Sequence, residues 1–211
     1  MPKQNRVTPL GEIIATPARG TLMGNRGCLH NSRQQIVRQH RGKRWIICVL
    51  HFKNRHRAIM TPGQYTELFF LDEATALAAG HRPCAECSRA RFELFRTHWA
   101  KANNASTDSS FPLAHEIDDV LHRERTAPTE PKVVYQEILA ALPDGSFVAF
   151  HDNQPYLWRE KALLAWNPEG YRRVESRPAD GIVRVLTPPS IVKTFAQGYV
   201  PAIHASAFQK L

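Results

Sequence analysis

Phe69-Phe70-Leu71-Asp72-Glu73-Ala74-Thr75-Ala76-Leu77-Ala78-Ala79-Gly80-His81-Arg82-Pro83-Cys84-Ala85-Glu86-Cys87 carries more structural information than any other stretch of the chain. Asp72 suits a helix N-cap, where its side-chain oxygen accepts an orphan backbone N–H, and the alanine-rich run behind it favours a helix. Gly80 suits the left-handed position just past the helix end. Cys84 and Cys87 are separated by two residues, so both thiolates can turn onto one tetrahedral zinc, with Zn–S bonds near ~2.3 Å. A second helix is predicted after Cys87, with Phe92, Phe95 and Trp99 on one side and Arg89, Arg91 and Arg96 largely elsewhere.

Upstream, residues 44–52 read as a buried strand, Lys53-Asn54-Arg55-His56 as a turn and residues 57–60 as the returning strand, which Thr61-Pro62-Gly63 breaks. Residues 1–43 give little periodic signal. Gly20, Gly24 and Gly27 punctuate a basic loop there and, beside Arg19 and Arg26, offer a phosphate-binding nest. Downstream, residues 101–112 lack periodicity and are rich in small polar residues, which predicts a linker. A helix follows near residues 115–125, then short strands at 146–150, 156–159, 162–166 and 182–186, and a helix at 190–197 stopped by Gly198. The expectation is an α+β protein: a zinc-stapled β-hairpin and helix module over 1–100, and a small antiparallel α+β module of unassigned role over 113–211.

Charge is distributed unevenly. The 211 residues hold 28 Lys+Arg and 19 Asp+Glu, a formal net charge of +9. Residues 1–100 contain 16 basic and 6 acidic side chains, whereas residues 101–211 contain 12 and 13. No acid lies between Glu12 and Glu67, a span holding Arg19, Arg26, Arg33, Arg38, Arg41, Lys43, Arg44, Lys53, Arg55 and Arg57. A solvated basic face accounts for such a block less well than a polyanionic partner, and its bias to arginine favours bidentate phosphate contacts. Those residues, Arg38 excepted, and with Arg82 added, form the candidate nucleic-acid-binding set, with DNA the expected partner. Tyr65, Phe69, Phe70 and Trp99 are candidates for stacking on unpaired bases, although most such residues are core. The longest apolar run, residues 45–50, is far short of the ~20 residues that cross a bilayer. No apolar segment follows Lys3 and Arg6 to make a signal peptide. A cytoplasmic location without membrane association is therefore expected, in which thiols stay reduced and four cysteines favour a metal over disulfides.

The stretch 69–87 resembles the helix-and-knuckle segment of the Ada-type metal-binding domain, found in a bacterial DNA alkylation-repair protein and attached in similar form to some nucleases. The match centres on residues 76–80, Arg82-Pro83-Cys84 and Cys87, about a tenth of the chain. It implies that Cys84 and Cys87 are zinc ligands and links the protein to DNA damage or repair. The family has two further cysteines upstream with three residues between them, one of which accepts a methyl group from a DNA phosphotriester. Here Cys28 and Cys48 are twenty apart, so methyl transfer is not implied. Strand alternation over 44–52 places Cys48 with Ile46, Leu50 and Phe52, and His51 on the opposite face, so the two are not expected to share a metal. The expected ligands are Cys28, Cys48, Cys84 and Cys87, with His30 as the alternative to Cys28.

A closed all-cysteine zinc leaves no open position for water and is structural. Catalysis would need other groups, and two sets are available. On the helix near 115–125, His115, Asp118, Asp119 and His122 gather opposite Ile117, Val120 and Leu121, where two carboxylates and two imidazoles can hold Mg²⁺ or Mn²⁺. Any amphipathic surface helix shows the same pattern. In the basic half, His30 combines with Glu67, Asp72 and Glu73, of which the last two also suit helix N-terminal positions on dipole grounds. A DNA-binding protein without turnover is the leading expectation, and a divalent-metal-dependent nuclease acting on DNA phosphodiesters the alternative.

Overall fold

The computed structural model describes residues 1–54, 58–103, 111–127, 132–174 and 181–209. Its first strands, β1 (Gln4–Val7), β2 (Ile13–Ala15), β3 (Leu22–Asn25), β4 (Ile46–Cys48) and β5 (Leu68–Phe70), lead into α1 (Glu73–Ala78), β6 (Arg82–Pro83), α2 (Arg89–Ala102) and α3 (Ala114–Arg125). There follow β7 (Tyr135–Ile138), β8 (Phe147–Ala149), β9 (Pro155–Arg159), β10 (Ala162–Asn167), β11 (Gly170–Val174), β12 (Ile182–Val185) and α4 (Pro189–Ala196). The fold is α+β. One six-stranded sheet is mixed, in the order β2-β1-β5-β3-β4-β6, and the other is antiparallel throughout, in the order β11-β10-β9-β8-β12-β7.

The predicted hairpin over 44–60 does not form among the described residues. The strand is confined to β4, whose neighbours are β3, antiparallel, and β6, parallel. Residues 58–60 are turn and coil, while Arg55, His56 and Arg57 lie outside the described residues. In place of a basic loop over 1–43 the chain builds β1, β2 and β3. Strands of three or four residues broken by Gly and Pro are too short to show a two-residue period. Gly24 is required by packing rather than by phosphate: a Cβ there would stand 2.1 Å from the Ile46 carbonyl oxygen and 2.8 Å from the Phe70 ring. Gly20 is likewise pressed against the Phe70 backbone, so these two glycines serve strand approach, not an anion nest.

α1 explains its own composition. Every residue from Glu73 to Ala78 is buried. Ala76 and Leu77 pack into a core with Phe70, Phe95, Trp99, Ile117, Leu121 and Phe195. Ala74 and Ala78 pack into a second core with Phe147, Leu157, Leu164 and Trp166 of the antiparallel sheet. A helix buried on all sides needs small side chains for close approach, and alanine supplies them at little entropic cost. Asp72 caps this helix as expected, accepting from the Thr75 N–H at 2.8 Å, and Gly80 follows it at φ +84°.

The cores cross the expected linker. Ile117 and Leu121 of α3 and Ile191 and Phe195 of α4 are buried with Val7, Leu68 and Phe70 of the first sheet. The division at 101–112 therefore does not separate two independent cores. Of that segment, residues 104–110 lie outside the described residues. No helix among the described residues is long and apolar enough to cross a membrane.

Candidate metal centre

The parallel register of β4 and β6 pairs Ile47 with Pro83, so the residues that follow, Cys48 and Cys84, stand abreast where the two strands end. The chain then turns through Ala85 and Glu86 and brings Cys87 back to the same point before α2 begins. The sulfurs of Cys48, Cys84 and Cys87 all lie within 4.8 Å of one another. All three are free thiols, Cys48 and Cys84 buried and Cys87 half-buried.

Backbone donors converge on them. Glu86 N–H donates to Cys84 Sγ at 3.4 Å, Cys87 N–H faces the same sulfur, and Val49 N–H donates to Cys87 Sγ. Hydrogen bonds to the charged form favour the thiolate, which is the metal-binding state. The Cys48 thiol is the main influence on Cys84, holding it well below the ordinary thiol range against the effect of burial. The same pairing, with burial, drives Cys48 far up, and burial raises Cys87. Three thiols this close, with backbone N–H groups directed at them, are suited to a cation, which would release their protons as it binds. These three cysteines could hold a metal ion.

Cys28 stands apart from this group. Its Sγ lies 3.7 Å from the His30 carbonyl oxygen. The His30 ring is occupied by neutral partners, Nδ1 with Thr66 Oγ1 at 2.6 Å and Nε2 with the Thr61 carbonyl at 3.2 Å. His51 does not join the three sulfurs within 4.8 Å, in keeping with the sequence expectation, although it lies nearby. Because β4 ends at Cys48, the alternation that set Cys48 and His51 on opposite faces stops there, and both line one cleft of about 540 Å³ with Cys84 and Cys87.

No protein-family model, curated protein or solved structure matches this chain.

The basic residues divide into two groups. Arg19, Arg33, Arg41, Lys43, Arg44 and Lys53 are exposed, and Arg44 lines the cleft that holds the cysteines. Arg41 lies alongside, its backbone N–H bonded to the Arg26 carbonyl and its Cβ against Gly27 of the cleft wall. Arg26 and Arg82, by contrast, are buried. Arg82 instead pairs with Asp118. Of the aromatic candidates, Tyr65 and Phe69 are half-buried in the cleft wall, whereas Phe70 and Trp99 are core.

The acidic candidates are dispersed and engaged. Asp118 is on the buried side of α3, not on a shared polar face, while Asp119 is bonded to Lys43 at 2.7 Å. His115 is exposed, and His122 is half-buried with its ring 5.4 Å from that of His40. Asp72 Oδ1 accepts from Thr75, and its Oδ2 accepts from the Tyr171 hydroxyl at 2.7 Å and the His204 N–H at 2.9 Å. Glu73 accepts from Tyr199, Arg91 and the Ala202 N–H. These two carboxylates tie α1 to the C-terminal segment. Glu67 accepts from the Met60 N–H at 2.7 Å and lines the cysteine cleft.

Proposed function

We propose that the protein is a zinc-stapled nucleic-acid-binding protein, with DNA the favoured partner. The observation that carries this reading is the presence of Arg44 on the same cleft as Cys48, Cys84 and Cys87, with exposed Arg41 beside that wall and no acid in the sequence between Glu12 and Glu67. Three thiolates suit a soft, tetrahedral ion, and zinc is the ion that such sets hold without redox chemistry. His51 lies on the same cleft but outside the group of three sulfurs, and is the proposed fourth ligand on turning its ring toward them, giving a C-x₂-H and C-x₂-C set. A closed site of this kind is structural: it would fasten β4 to β6 and to the start of α2, fixing the loops that bear the arginines. The resemblance of residues 69–87 to the Ada-type domain supports the same reading and a link to DNA damage or repair.

Binding without turnover is favoured because Asp72, Glu73, Asp118 and Asp119 are all engaged in hydrogen bonds or ion pairs. A nuclease using Mg²⁺ or Mn²⁺ is the second reading, favoured by one observation, the position of Glu67 on the cysteine cleft. The deciding experiment runs zinc-loaded protein with end-labelled single- and double-stranded DNA on native and denaturing gels, with Mg²⁺, Mn²⁺ or EDTA. A mobility shift that weakens steeply with salt is expected, its slope reduced by about one in Arg44→Ala. Metal-dependent scission that disappears in Glu67→Ala would move the assignment to a nuclease. Neither shift nor cutting, at low salt, would end the nucleic-acid reading.

A further inference from the structure

Away from the cysteine cleft, a second cavity of about 210 Å³ is walled by cations. Arg26, Arg125, Lys132, His40 and Trp45 line it, and no carboxylate does so among the described residues. Arg26 is 1% exposed. Its Nε–H donates to His81 Nε2 at 3.2 Å and its Nη1–H to the Gly11 carbonyl at 2.9 Å, while Nη2 has no partner. Arg125, also buried, donates from Nη1 and Nη2 to the Gly80 and Lys43 carbonyls and leaves Nε without a partner. Lys132 reaches inward and donates from Nζ to the Pro9 and Ala78 carbonyls at 2.6 and 2.5 Å, two of its three N–H groups at most. Both guanidinium groups stack on the Trp45 indole, at 4.2 and 4.0 Å from its centroid.

Three cationic side chains thus converge on neutral acceptors. The acid that attracts Arg125, Asp118, is itself held bidentate by Arg82. Burial and then Arg125 lower Arg26 to about 9, burial and Arg82 lower Arg125 to about 9 against the pull of Asp118, and burial with Arg26 lowers Lys132 well below the usual lysine value. Proteins do not ordinarily bury like charges together without a counter-charge.

We infer that this cavity is a binding site for a tetrahedral oxyanion, a phosphate or phosphomonoester. Donors from three side chains match the three terminal oxygens of a phosphomonoester better than the two of a planar carboxylate, and guanidinium is suited to phosphate. At ~30 Å³ for each water it could hold, the cavity takes a phosphate group but is smaller than pockets for drug-sized ligands. The exposed side chain of Gln39 and half-buried His40 and Thr126 form its rim, so the anion has a way in from solvent. The chemistry is common to free phosphate, a phosphorylated small molecule and the phosphorylated end of a nucleic acid, and the site stands whether or not the protein binds DNA.

The test is calorimetry and thermal unfolding of the full, metal-loaded chain in inorganic phosphate, with acetate and chloride at matched ionic strength as controls. Saturable binding of phosphate, with a rise in Tm that acetate and chloride do not give, is the expected result. Lys132→Met and Arg26→Gln should each weaken it tenfold or more. Where these buried replacements fail to fold, His40→Gln at the rim and the wild-type comparison of phosphate with acetate decide the matter. A second arm compares oligonucleotides of one sequence ending in 5′-phosphate or 5′-hydroxyl. Preference for the phosphorylated end, competed by inorganic phosphate, assigns the site to nucleic-acid termini; phosphate binding without that preference assigns it to a small or free phosphate. Equal response to phosphate, acetate and chloride, or unaltered phosphate affinity in the folded variants, would overturn the inference.

Discussion

Arg82 and Asp118 form a buried bidentate pair, Nε–H donating to Oδ1 at 2.9 Å and Nη2–H to Oδ2 at 2.7 Å. Their side chains are 3% and 7% exposed, and the Arg82 guanidinium also lies 5.3 Å from the Phe92 ring centroid. The pair joins β6, two residues before Cys84, to α3, which belongs to the other side of the expected linker. Each of these residues had a functional reading in the sequence, one as a phosphate contact and the other as a metal ligand. Each is satisfied by the other instead.

Breaking this pair strands a charge. Asp118→Ala should destabilise the protein by about 3–5 kcal/mol, because Arg82 is left buried without its counter-charge. The double variant Arg82→Met/Asp118→Leu should lose less than either single change, since no buried charge remains. Urea unfolding of the four proteins checks both expectations; equal losses for the single and double variants would show that packing, not charge, governs the site.

The cysteine set yields a sharp contrast between residues of the same type. Replacing Cys48, Cys84 or Cys87 with serine should abolish stoichiometric zinc, whereas Cys28→Ser should retain it, because Cys28 points to the His30 carbonyl and not to the cluster. Metal analysis and the cobalt-substituted absorption spectrum give the readout. His51→Asn should keep the sulfur-to-cobalt charge-transfer bands and alter the visible ligand-field bands. Loss of those charge-transfer bands in Cys28→Ser would place a fourth thiolate on the metal.

Acid should weaken the fold through His81. Its ring is buried between Trp45 and Phe70 and accepts from Arg26. Burial first, then Arg26, Arg125 and Lys132, hold it well below the ordinary imidazole range, opposed by a backbone hydrogen bond with Ala76. A histidine depressed in the folded state contributes stability that is fully present above the unfolded value of ~6.5 and is lost as pH falls below it toward the folded value. His40 and His122 are lowered too, by burial and by Arg125, and share in the effect. Unfolding free energy should fall between pH 7 and 5 by up to about 1.4 kcal/mol per pH unit for each such group. His81→Phe should flatten the slope. Metal content must be followed in parallel because cysteine ligands also take up protons; an unchanged slope in His81→Phe at constant metal content would exclude this origin.

Residues 69–103 were the most legible part of the chain. The Asp72 cap, the alanine helix, Gly80, the C-x₂-C turn and the aromatic face of α2 are all local signals, set by propensity and capping within one or two turns. The strands at 147–149, 155–159, 162–167 and 182–185 were legible for the same reason, since turn residues bracket short apolar runs. What local chemistry could not reveal was length and partnership. β4 stops at Cys48 because its pairing with β3 and β6 ends there, and that single boundary decides whether His51 can reach the cleft of the cysteines. Composition alone determined that the first hundred residues carry a large excess of positive charge. Only the tertiary structure sorted that charge into exposed Arg44 on the cleft, Arg82 locked to Asp118, and Arg26 gathered with Arg125 and Lys132 around a second cavity. The physical reason is that burial is a property of long-range packing: two arginines of identical chemistry differ in what they can contact according to which distant residues close over them.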